Sequence, residues 1–158
     1  MTKEAINGYS YRITQATKSE LIVIIYDIAK EYLISALEDY STDNIEGFRD
    51  NLKKAQRAVN ELTSSLDLQY EISLELIQLY LYMNKVILKA SIRTETKDID
   101  AVIRMIDKLR ETFNEVSKQD TSEPLMKNTQ KVYAGFTYSN GGINNEVYNQ
   151  GSNRGFTV

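Results

Sequence analysis

The side chains with chemistry to offer in this 158-residue chain are 22 Asp and Glu, 19 Lys and Arg, and 11 Tyr; there is no His and no Cys. Without thiols there is no disulfide framework, no sulfur nucleophile and no thiolate metal site, a usage that fits a reducing compartment. Without His the commonest general base and metal ligand are absent. That excludes the His-dependent roles of helical bundles: the carboxylate di-iron oxidase with Glu-x-x-His pairs, the Ser-His-Asp hydrolase and the His phosphorelay domain. Carboxylate-only or Tyr/Lys catalysis stays formally open, but it needs several such groups converging on one point, and no clustered motif supplies them. The sequence therefore predicts no enzyme, no metal and no cofactor. The net charge of −3 comes from interspersed signs, not from the basic stripe that phosphate binding requires, so nucleic acid is not an expected partner.

What remains is binding through apolar and aromatic surface. Leu52, Ala55, Val59, Leu62 and Leu66 recur at steps of three and four, one face of a helix with the mean 3.5 spacing of side-by-side packing. After a polar break at Asp67–Glu71 the pattern restarts with Ile72, Leu76, Leu79, Met83, Val86 and Ala90. A second stripe runs beside it through Leu74, Ile77, Leu81 and Leu88, with Tyr80 and Tyr82 among them. This girth predicts either central burial or a face held for something else. The expected groove has Ala55, Val59, Leu62 and Leu66 on one wall and Leu76, Leu79, Tyr80 and Met83 on the other. Most of these residues are also accounted for as ordinary bundle core, since the same seam packs helix against helix. Tyr9 and Tyr11, in a leader too polar to predict a helix face, are expected to cap the groove or to cover an edge of the bundle.

These residues need helices to hold them. Thr17 with Glu20 is a capping box that starts a helix running to the Ser41-Thr-Asp43 break. Asp43 with Glu46 predicts the next start, for a helix to about Leu66; a third runs from about Tyr70 to Ile92, and Thr96 caps a fourth carrying Ile99, Val102, Ile106, Leu109, Phe113 and Val116. Short links between rods of about 30 to 36 Å predict an all-α fold, an antiparallel four-helix bundle. The apolar run LIVIIY is too short to span a membrane, and no helix pairs an apolar with a cationic face, so no membrane association is expected. The predicted organisation is a flexible segment over 1–16, the bundle over 17–120, a short fifth helix over 121–133 begun by Ser122-Glu-Pro124, and a disordered Gly/Asn-rich tail over 134–158. No apolar core for a signal peptide occurs in the first sixteen residues, which predicts a cytoplasmic protein.

Thr17-Lys-Ser-Glu-Leu21 followed by Ile25-Tyr26-Asp27 resembles the opening signature of the flagellar export chaperone family FliS. Lys54-Ala-Gln56, Glu61-Leu62, Ser65-Leu-Asp67 and Leu79-Tyr-Leu-Tyr-Met83 resemble that family's later blocks, in the same order and spacing, over about residues 9 to 120. Lys18 or Ser19 replaces a frequent Pro, the loop glycines are missing near Tyr70–Ser73, and Phe113 stands for a frequent Trp. The resemblance implies a cytoplasmic chaperone that binds the disordered C-terminal segment of flagellin, prevents premature polymerisation and delivers it to the export gate. A regulatory co-chaperone and a homodimer are further partners it leaves open. The alternative is a self-associating helical module without a client.

Overall fold

The computed structural model describes residues 2–126 as five helices with no strand among them: α1 Lys3–Gln15, α2 Lys18–Ser41, α3 Ile45–Ser64, α4 Glu71–Arg93 and α5 Ile99–Ser117. The expected tail over 134–158, and most of the expected fifth helix, lie outside the described residues. Residues 121–126 are not helical.

Each start has a local cause. Thr17 forms the full capping box: its hydroxyl accepts from the Glu20 N–H at 3.3 Å, and its own N–H donates to the Glu20 carboxylate at 2.9 Å. α3 departs from expectation, because its cap is Asn44, whose side-chain oxygen accepts from the Gly47 N–H at 3.1 Å. Asp43 instead takes the left-handed turn at φ 58°, a conformation Asp tolerates better than most residues. Asp39 then closes the α2–α3 corner, accepting from Asn44 at 2.8 Å and from Asn51 at 2.6 Å. A Cβ on Gly47 would lie 2.3 Å from the Asn44 side-chain nitrogen and 2.7 Å from the Asp39 carboxylate, so any larger residue there must displace the Asn44–Asp39 contact.

At the far end of α4, Thr94 is left-handed and accepts from the Arg49 guanidinium at 3.0 Å. The cap of α5 is Asp98, not Thr96, and its carboxylate holds Lys89 at 3.1 Å.

Within the expected leader over 1–16, Lys3–Gln15 form α1. Thr2 caps it, its hydroxyl accepting from Ala5 N–H at 3.2 Å, and Ile6, Tyr9 and Ile13 share one face. Gly8 costs helix propensity but meets no neighbour within 4 Å.

One core joins α2, α3, α4 and α5. Leu33, Phe48, Leu52, Val59, Met83, Ile99, Val102 and Ile106 are fully enclosed in it. α2 is the central rod, packed most extensively on α3 and α5, while α3 also packs on α4; the α4–α5 seam is thinner.

Candidate docking surface

Six of the eight side chains expected to line a groove sit inside the bundle. Ala55, Val59, Leu62, Leu76, Tyr80 and Met83 are at most 7% exposed. The physical reason is that the 3.5-spaced seam of α3 and α4 turns toward α2 and one another, where it removes the most apolar area from water. Leu66 and Leu79 are half-buried against the same core.

Tyr80 meets Tyr26 from α2 inside the core, their hydroxyls 2.5 Å apart, and Phe113 from α5 packs on the Tyr26 ring at 5.7 Å between centroids. Burial pushes the Tyr26 phenol far above its ordinary range, reinforced by the bond to Tyr80, and raises Tyr80 as well. The pair links α2 to α4 through the core. Among the described residues no three acidic side chains converge as a metal site.

Next to Tyr26, Asp27 is a junction. It accepts from Arg12 of α1 at 3.0 Å and from Arg110 of α5 at 2.5 Å. The pairing raises the Arg110 guanidinium further. Tyr9 lies against Arg12, 5.5 Å from ring centroid to guanidinium, and is half-buried; burial, with Asp27 and Glu31 nearby, raises its phenol. Tyr11 is exposed. It lines a cleft of about 410 Å³ with Arg12, Val23, Ile24, Asn114 of α5 and Lys118 just past the end of α5. The sequence marked Asp27 only as part of the Ile25-Tyr26-Asp27 block, not as the junction of α1 and α5, although an acid directly after the apolar run of α2 was a visible signal.

The segment after α5 turns back on the α1–α2 junction. Ser19 donates to Asp120, and the Leu125 N–H donates to the Ala16 carbonyl at 3.1 Å. Hydroxyls of Ser122 and Ser19 hold the Asp120 carboxyl well below the usual carboxylate range.

A row of exposed apolar side chains runs along α4. Leu74, Leu81, Leu88 and Ile92 are each about half exposed or more, and Ile77 is partly so. Steps of three, four and seven put them on one side. That side faces α3: Asn84, within the same stripe, donates to the Asn60 side chain at 2.8 Å, and Leu88 shares a cleft of about 380 Å³ with Arg49, Lys53 and Gln56. The Gln56 amide reaches the Asn84 carbonyl at 3.5 Å, so the seam below the cleft is polar. Of the two stripes seen in the sequence, the first is core apart from exposed Ile72 and half-buried Leu79, and Leu74, Leu81, Tyr82 and Leu88 of the second stay in water while Tyr80 is buried.

The family model described as "Flagellar protein FliS" matches residues 1–120. The chain belongs to the FliS family. The match takes in all five helices, from the leader through α5. Among curated proteins it is similar to the flagellar secretion chaperone FliS of Bacillus subtilis (strain 168), 23% identical over 111 residues, covering 70% of this chain and 84% of that one. No helix among the described residues is long and apolar enough to cross a membrane.

Proposed function

We propose that this chain is a cytoplasmic, non-enzymatic secretion chaperone that holds the C-terminal segment of flagellin and keeps it from polymerising before export. Family membership supports the chaperone role. The observation that carries the client site is the exposed row Leu74, Ile77, Leu81, Leu88 and Ile92 on α4. Each such side chain covered by a client helix contributes about 25 cal/mol per Å² of area removed from water, and apolar helices docking in grooves are a recurring way to gain it. The pairs Arg49–Thr94 and Asn60–Asn84 support an antiparallel course of α3 and α4 within a four-helix bundle.

Of the eight seam residues, only Leu66 and Leu79 are within a client's reach unless the bundle opens. Ala55, Val59, Leu62, Leu76, Tyr80 and Met83 act from beneath, by fixing the rods that carry the surface. In this reading Tyr9 and Tyr11 guard the α2 side, where α1 packs, and delivery to the export gate or to a regulatory co-chaperone follows from the bound state.

The test is titration of a flagellin C-terminal peptide into the full chain and into Leu81→Asp and Leu88→Asp, each checked by circular dichroism. Loss of affinity in folded variants is the expected result. Equal affinity removes α4 as the client face. A wild-type dimer that persists at saturating peptide favours the self-associating module instead.

A further inference from the structure

The cleft beside the α4 row has unlike walls. Its α4 side is formed by Ile87, Leu88 and Ser91, and the exposed row continues two turns along the same face of the helix at Leu81. Its α3 side is cationic: Arg49 and Lys53 line it, and Arg57 continues the row one turn on, at i, i+4 and i+8. In a chain with more acids than bases, three cations in line on one helix edge are a local reversal of the overall sign. Lys53 and Arg57 make no ion pair among the described residues, and Arg49 spends its guanidinium on the Thr94 hydroxyl. The acid at the cleft, Asp50, is turned to Lys54 at 2.7 Å.

We infer that the α3–α4 cleft selects an amphipathic helix whose apolar stripe lies on Leu81 and Leu88 and whose one flank carries carboxylates facing Lys53 and Arg57. The occupant is set by both walls. An apolar helix with a basic flank would bring like charges together, and a helix with a neutral flank would leave the cations without partners, whereas carboxylates four residues apart match their spacing. The cleft is open to water, so the charges add discrimination and speed of association more than raw affinity. This inference rests on the client reading above and names the chemistry that the client's docked helix must carry.

The experiment uses the full chain and two designed helical peptides of about 18 residues, both with leucines at steps of three and four. One carries glutamates along one flank and the other carries glutamines there. Fluorescence anisotropy at low salt is expected to give the glutamate peptide about tenfold the affinity of its partner, an advantage that shrinks to under twofold in 0.5 M salt. Lys53→Glu with Arg57→Glu, both exposed on α3, should abolish the preference, the glutamate peptide losing far more affinity than the glutamine peptide. Leu81→Asp should weaken both peptides.

Equal binding of the two peptides, or a preference that survives the double charge reversal, overturns the inference. So does a concentration-dependent dimer that Leu81→Asp dissolves, since the occupant is then a second copy. A flagellin C-terminal peptide run in parallel separates the two readings. If it binds wild type but ignores the charge reversal, the charge selection is wrong and the chaperone role stands. If it does not bind at all, the client reading is what fails.

Discussion

The phenol of Tyr26 on α2 and that of Tyr80 on α4 meet 2.5 Å apart in the core, each the other's hydrogen-bond partner. A hydroxyl buried without a partner costs about 1 to 3 kcal/mol, so Tyr80→Phe should destabilise by about that much through the orphaned Tyr26. Tyr26→Phe with Tyr80→Phe should cost less than the sum of the single changes. Urea denaturation of the four proteins checks this as a double-mutant cycle.

The same pair gives a pH dependence. Both phenols are raised in the folded state, so the folded chain keeps protons that the unfolded chain releases near pH 10. Their contribution is fully present below about pH 10 and is lost as the pH rises above it. Urea midpoints measured from pH 8 to 11 should fall in wild type and fall less steeply in the double Phe variant.

Core and surface respond differently to an inserted charge. Val59→Asp places a carboxylate where the wild-type side chain is fully enclosed, and a loss of more than about 4 kcal/mol is expected, enough to unfold the bundle. Leu81→Asp, on a half-exposed site, should change stability by less than about 1 kcal/mol. Circular dichroism and thermal melts of the two variants decide it.

Arg12→Ala removes the link from α1 to Asp27. Because Arg12 is about half exposed, the effect on global stability should stay within about 1 kcal/mol. Hydrogen exchange across residues 3–15 should nevertheless speed up while the amides of α2 keep their protection. Uniform protection across both helices would mean that other contacts hold α1.

Much of this was legible before any coordinates. The capping box at Thr17 and the 3.5-spaced rows of α3 and α5 are local signals, and they give the helices within a few residues of where they form. The caps at Asn44 and Asp98 were displaced because Asp43 and Thr96 are equally good cap residues, and the choice falls to Asp39 and Lys89, which reach the corners from elsewhere in the chain. The helix α1 was hidden by Gly8 and by a polar composition, although Ile6, Tyr9 and Ile13 already had helical spacing. The surface was the hardest part. α4 carries two adjacent apolar stripes, and periodicity alone does not say which is enclosed; the positions of α2 and α3 decide that Leu76, Tyr80 and Met83 go in and Leu74, Leu81 and Leu88 stay out.

Asp27 holds two guanidiniums at once, one from α1 and one from α5. If the leader swings away, the carboxylate is not stranded, because Arg110 still neutralises it; unfastening therefore lacks the penalty of baring a lone ion. The contact of α1 with Asp27 is therefore one that the bundle does not depend on for its charge balance.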